Sequence, residues 1–336
     1  MSDFIRIGFI IWHYVLASIG IFFNALLIYF CLFRTPRIIR TYAVLLLNFA
    51  VSDFLTCLVD WFVIQRFIPS MELQGFVSNG LCTYFGPMVC FYCHIFMLHL
   101  YSHAAWSLGF SFIYRYYILL YPQPQRKSVI LLMLILYIPS GVQWIGYSSI
   151  ASHPKDVVAA LEQRFPDEDF TNQTVSGVVN IFESISAMYT SFHMGILAVI
   201  VYTTILIFRH KIIVILKRSS RVMSQSTQDM HRQLLRALIL QACLPFLFSI
   251  GISAYVISQL GIYNTPFFDY LIFGVVLIIP TSSPMISIYY VRPYRRVIRH
   301  WLSRMKVATE RQYSMPTVSN QSNNNSTTNK NSASAW

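Results

Sequence analysis

Seven stretches of this chain are apolar for long enough to cross a lipid bilayer, and none contains a lysine or an arginine. They cover residues 7–33, 41–64, 83–114, 128–150, 178–208, 237–260 and 267–291. A helix needs about 20 apolar residues to cross the hydrocarbon core, and there it must satisfy its own backbone hydrogen bonds. The carboxylates inside these stretches are Asp53, Asp60, Glu183 and, at an end, Asp269. Charged residues make up 11% of the chain, against about a quarter in soluble domains. The expected fold is an all-α membrane protein, a seven-transmembrane helix bundle. Pro87, Pro139, Pro245, Pro280 and Pro284 fall within the spans, where each removes a helical donor and is expected to kink its helix.

The basic residues set the direction. Of the 25 Lys and Arg, 21 fall in the connections after spans one, three and five, at the base of span six and in the tail. Arg6, Arg66, Lys155 and Arg164 fall on the other side. The positive-inside rule therefore places the N-terminus outside and the C-terminus in the cytosol. The net charge of +12, which in a soluble protein would point to nucleic acid, is explained by topology, and no nucleic-acid partner is expected. The sequon Asn172-Gln173-Thr174 lies in an acidic loop that this topology makes extracellular, so Asn172 is a glycosylation candidate. The first apolar run is too long for a cleavable signal and is followed by a basic cluster, so it reads as a signal-anchor.

Past span seven, Arg292 to Leu302 mixes basic and bulky apolar residues, the pattern of a short amphipathic helix on an anionic inner leaflet, with membrane lipid as its partner. The expected organisation is a seven-span bundle over 1–302 with a surface helix near 292–304. Residues 305–336, rich in Ser, Asn and Thr from about Ser314, are expected to form a disordered cytoplasmic tail.

Ionisable groups in the membrane need a reason to be there. Asp53 lies about 18 Å along span two at 1.5 Å per residue, near the midplane, and reads as a switch or cation site facing the bundle. Span three carries His94, His99 and His103. His99 and His103 have the i,i+4 spacing of metal ligands, but His94 is about 140° round the helix from His99, and buried hydrogen-bonding or pocket-lining histidines are the expectation. Of the six cysteines only Cys90 and Cys93 have CxxC spacing, and with no second such pair neither a zinc site nor a disulfide framework is indicated, and no cofactor is expected. Tyr84, Met88, Tyr92, Met188, Tyr189, Tyr255 and Tyr270 crowd the outer halves of the spans. With His94 and Glu183 they are the candidate lining of a pocket for a small organic ligand.

Local motifs add a family resemblance. Gly20-Ile21-Phe22-Phe23-Asn24, Leu47 to Leu55 around Asp53, and Cys243-Leu244-Pro245 resemble the first, second and sixth helices of rhodopsin-like G-protein-coupled receptors. The resemblance implies a switch built from Asn24, Asp53, Pro245, Ser283 and Pro284, with a sodium ion near Asp53. The chain departs from that pattern at Tyr114-Arg115-Tyr116-Tyr117, where no acid precedes the arginine, and at Ser282-Ser283-Pro284, where Asn-Pro is usual. Cys82 heads span three with no cysteine in the following outer loop, so the usual tether is expected to be missing. These departures, with Gln65 to Pro69 and Val291 to Arg295, resemble the nematode serpentine chemoreceptors of the Str superfamily, most closely class delta.

That resemblance implies a non-enzymatic chemoreceptor for an odorant or pheromone, in the plasma membrane of sensory cilia, that signals to a heterotrimeric G protein. The ligand would enter from outside between spans three, five, six and seven. Arg115, Arg209, Lys211, Lys217, Arg218 and Arg221 would meet the G protein. A seven-span ligand-gated channel would have its N-terminus inside, against the charge count, and a transporter would be expected to show an internal repeat. An opsin needs a lysine in a span, and there is none. A membrane enzyme of the histidine-box kind would need more clustered histidines than these.

Overall fold

In the computed structural model, the described residues are 2–218, 236, 239–240, 243, 245–263 and 265–313. Helices α1 (Ser2–Phe33), α2 (Arg40–Val63), α3 (Pro87–Leu120) and α4 (Arg126–Ser148) take up the first four expected spans. After a short outer-loop helix α5 (Pro154–Arg164), span five is α6 (Ile185–Arg218). The described part of span six is α7 (Pro245–Gln259), and span seven is two runs, α8 (Pro266–Val276) and α9 (Ile278–Tyr290). Spans one, two, four, five and seven are long and apolar enough to cross a membrane by length and composition. Helix α3 has the length, at 34 residues, but its histidines and serines make it the polar spine of the bundle. Residues 2–295 belong to one compact unit.

Two spans begin later than hydropathy suggests. Thr83 lies in a 3-10 turn (Leu81–Phe85), and α3 starts at Pro87. Between them Gly86 sits at φ +100, a conformation glycine adopts without a Cβ clash. Val178, expected to open span five, instead ends a strand, and the helix starts at Ile185. The expectation for Cys82 also needs correction: it is disulfide-bonded to Cys90, eight residues on in the start of α3. The partner lies in the same helix head, not in the later loop where it was sought.

The outer side carries an element that the helical reading did not include, a three-stranded antiparallel sheet in the order β1 (Gln65–Ser70), β2 (Leu73–Ser78), β3 (Thr174–Val178). β1 and β2 form a hairpin with Ser70 opposite Leu73, and β2 pairs β3 with Gln74 opposite Val178 and Ser78 opposite Thr174. Pro69, with no N–H to donate, is tolerated because β1 is an edge strand. Strand residues alternate between faces. Ile68, Leu73, Val77 and Val175 pack with Val157 and Leu161 of α5, while Phe67 and Phe76 join the core of the bundle.

The last helix, α10 (Arg292–Tyr313), is longer than the surface helix expected near 292–304. It therefore extends into the region expected to be a disordered tail. Residues 314–336, the rest of that region, lie outside the described residues.

Candidate ligand cavity and polar centre

Beneath the sheet, spans three to seven line a cavity of about 130 Å³. Its roof is the β1–β2 hairpin, through Phe67, Gln74 and Phe76. Its walls include His94 of α3, Tyr147 of α4, Thr190 and Met194 of α6, Tyr255 of α7 and Phe273 of α8. The surface is almost wholly apolar, with a few polar groups of the kind that orient a small ligand. One hydrogen-bonded chain crosses it. The Tyr147 hydroxyl donates to Gln74 Oε1, Gln74 Nε2 donates to the Tyr255 hydroxyl at 2.9 Å, and that hydroxyl meets Ser191 Oγ at 3.3 Å. Thus span four, the roof, span six and span five are tied in series. His94 is fully buried between Phe76 and Phe273, with ring centroids 4.4 and 4.9 Å away. Among the described residues neither of its ring nitrogens has a partner, and neither does Thr190 Oγ1.

The roof is held by charge. Arg66 of β1 donates to Glu168 through both terminal nitrogens, at 2.8 and 3.0 Å, and to Asp269 of α8 at 3.1 and 2.8 Å. Burial works against this charge, but the two carboxylates more than restore it and hold the guanidinium protonated well above its ordinary range. At the hairpin tip Met71 takes φ +49, unusual for a residue with a side chain. Gln259 brackets it: Met71 N–H donates to the Gln259 carbonyl at 2.8 Å, and the Gln259 amide donates to the Met71 carbonyl.

Of the residues the sequence offered for a pocket, His94 and Tyr255 line this cavity. Tyr189 and Met188 line a neighbouring groove instead. Tyr84, Tyr92 and Glu183 are exposed, and Met88 is half-buried outside the cavity lining. Tyr270 is buried but stacks on Phe9 and lies under the Arg66 guanidinium. Phe67, Gln74, Phe76 and Tyr147 were missed. Their one sequence signal was the short alternation in Leu73 to Val77, too brief to separate a strand from an outer loop.

A second set of polar groups occupies the middle of the bundle. Pro284 has no N–H, which leaves the Pro280 carbonyl without its helical donor. Asn24 Nδ2 of span one supplies one at 3.0 Å and also donates to the Gly20 carbonyl at 2.9 Å. Where span seven breaks between α8 and α9, Trp12 Nε1 donates to the Gly274 carbonyl at 2.8 Å. Ser283 hydrogen-bonds the buried Asp53 carboxyl, and Thr281 Oγ1 donates to the Leu16 carbonyl at 3.1 Å. Asn24 and Asp53 thus both bond span seven around its Pro284 break, Asn24 at the Pro280 carbonyl and Asp53 at Ser283. Asn24 Oδ1 is buried with no partner among the described residues. Pro245 opens the described part of α7.

The histidines of α3 have separate duties. His103 Nε2 meets Asn48 Oδ1 at 3.1 Å and Ser107 Oγ at 3.2 Å, and its ring stacks on Tyr137. His99 packs against Trp144 and Tyr137 of α4. No group of three or more His, Cys, Asp or Glu among the described residues is arranged to hold a metal.

At the inner end Arg115 is buried, its guanidinium 4.2 Å from the centre of the Tyr42 ring, and Nε and Nη2 have no partner among the described residues. Arg209 and Lys211 are exposed on α6, which also carries Lys217 and Arg218. Arg221 lies outside the described residues. On the outer side Asn172 is exposed in the turn leading to β3.

A family model described as serpentine type 7TM GPCR chemoreceptor Srd matches residues 9–300. The chain is 37% identical over 302 residues to serpentine receptor class delta-19 of Caenorhabditis elegans, covering 88% of this chain and 89% of that protein. It is 36% identical over 301 residues to class delta-18 of the same organism, with the same shares covered. Squid rhodopsin, in a crystal structure, matches 90% of this chain and 87% of its own with a TM-score of 0.65 at 13% identity, a likeness of fold alone.

Proposed function

Since this chain belongs to the serpentine type 7TM GPCR chemoreceptor Srd family, a family of multi-pass membrane receptors and not of enzymes, we propose that it detects a small odorant or pheromone in the cavity beneath its outer sheet. In this reading it passes the signal to a heterotrimeric G protein from the plasma membrane of sensory cilia. The observation that carries the reading is the apolar cavity whose walls come from five spans and whose roof is tied to three of them. A ligand there touches both the fixed outer lid and the helices that continue to the inner face. It shifts the receptor only by its different affinity for two states.

Asp53, Ser283, Asn24 and Pro284 supply the element that repacks, since they join spans one, two and seven at a proline break. A sodium ion held there by the Asp53 carboxylate with Ser283 and Asn24 Oδ1 would favour one packing over the other. Arg115 leaves Tyr42 when the inner ends part, and together with the basic face of α6 it meets the G protein. The test is expression with a calcium or cyclic-nucleotide reporter against an odorant panel. A response is expected that Tyr255→Ala and His94→Leu abolish or retune while surface display persists. A ligand whose response ignores both variants would remove the cavity from the reading.

A further inference from the structure

The cavity is covered on the side from which a water-borne ligand would come. Every residue of β1 and β2 is buried, α5 packs over the outer face of the sheet, and the Arg66 ion pairs close the edge toward span seven. The hairpin tip is clasped by Gln259, and Ile181 N–H donates to the Glu72 carbonyl at 2.9 Å.

The side wall is different. A groove of about 590 Å³ runs between the outer ends of spans five and six, and it shares Ser191, Tyr255 and Val256 with the cavity. Its rim is Phe182, Ile185 and Phe192, exposed by 62%, 86% and 68%. Ile185 and Phe192 are on the helix of span five, where exposed side chains of that size face lipid, and Phe182 lies in the bend just before it. Among the described residues, no Asp, Glu, Lys or Arg lines the groove or the cavity. Where the two meet, the Ser191 and Tyr255 hydroxyls, which line both, hydrogen-bond at 3.3 Å.

We propose that the cavity is loaded sideways from the outer leaflet, through the groove between spans five and six with the Ser191–Tyr255 contact as its gate, and that its ligand is an uncharged molecule that partitions into lipid. This rests on the cavity being the ligand site. The volume bounds the ligand: an apolar cavity of roughly 150 Å³ holds benzene, so a single small ring or its open-chain equivalent fits without rearrangement. The buried His94 nitrogens and Thr190 hydroxyl leave a hydrogen-bonding group on that ligand two sites to find in the wall.

The test needs no agonist. Ser191→Cys, at the junction of groove and cavity, is made in the full chain with Cys93→Ser and Cys243→Ser and displayed on cells. Val256→Cys on the facing helix gives the same readout should Ser191→Cys not reach the surface. Two thiol reagents are applied from outside, uncharged N-ethylmaleimide and a permanently charged trimethylammonium methanethiosulfonate, each normalised to its rate with a free thiol. Sideways access predicts normalised labelling at least about tenfold faster for the uncharged reagent, since a fixed charge is heavily penalised in hydrocarbon. It also predicts that Met188→Trp, which fills the groove, slows only that reagent. Equal normalised rates, or no effect of Met188→Trp, would overturn the route. Labelling is scored without signalling, so the route can fail while the cavity remains a ligand site, and the reverse.

Discussion

The two ends of the bundle are stabilised by opposite means. At the outer end the buried charge of Arg66 is matched by two carboxylates, and Asp60 is held by His13 Nδ1 at 2.9 Å. Strands from loops far apart in sequence are paired, and a hydrogen-bonded chain links four elements. At the inner end the buried Arg115 guanidinium lies over the face of Tyr42, and among the described residues two of its donors have no partner. A cation over a ring is worth about 0.5–2 kcal/mol, whereas breaking a buried ion pair costs about 3–5 kcal/mol. The outer end is therefore built to keep one shape and the inner end to exchange one shape for another. That division is what a receptor needs if a small ligand is to act at a distance.

The largest effect should come from attacking the locked end at its hub. Arg66→Ala strands Asp269 and Glu168 and is expected to cost about 3–5 kcal/mol. A thermal melt of the detergent-purified receptor should show the loss, and ligand response should fall with it. An unchanged melting point would mean that the roof is not held by charge. An intermediate effect is expected at the middle of the bundle. Asn24→Val leaves the Pro280 carbonyl unpaired in a lipid-enclosed site, at about 1–3 kcal/mol. Asn24→Asp, which keeps an acceptor but loses the donor, should not rescue the melt.

How much of this contrast could be read in advance follows from range in sequence. Hydropathy and basic flanks are local, and they gave the spans and their direction. Asp53 stood out because a carboxylate in an apolar run is costly wherever its partner lies. That Ser283 is the partner came only from family resemblance, and that Asn24 caps Pro280 could not be read at all, since the two lie 256 residues apart. The outer sheet was hidden for the same reason. β2 finds β3 about a hundred residues later, and its six residues carry too little pattern to declare a strand. Cys82 was misjudged by looking for a distant partner when the near one was Cys90. Tyr84 and Glu183 were nominated from depth along a helix, which says nothing about which way a side chain faces.

A smaller effect, opposite in sign for signalling, should appear at the loose end. Tyr42→Ala removes the ring beneath Arg115, worth about 0.5–2 kcal/mol. This is enough to raise the population of a state with Arg115 free by about twofold to thirtyfold. Basal reporter output without ligand should rise, whereas Arg115→Ala should lower both basal and evoked output. Tyr42→Phe keeps a ring face and should behave like the parent. If Tyr42→Ala were silent and Arg115→Ala fully active, the inner end would not be the movable one.

The smallest effect on stability serves to check which end is which, on which the whole contrast depends. Asn172 is exposed in the turn before β3, so Asn172→Gln should leave the melt and the ligand response unchanged, as surface substitutions do to within about 0.5 kcal/mol. Its covalent consequence should nevertheless be plain. Glycosylation happens only on the luminal side, so the parent should shift in gel mobility on glycosidase treatment and the variant should not. An epitope before Met1 should be stained on intact cells under the same topology. A parent with no glycan and an epitope reached only after permeabilisation would turn the molecule over. The sheet, the ion pairs and the cavity would then face the cytosol, and the locked end could no longer be the one that meets the ligand.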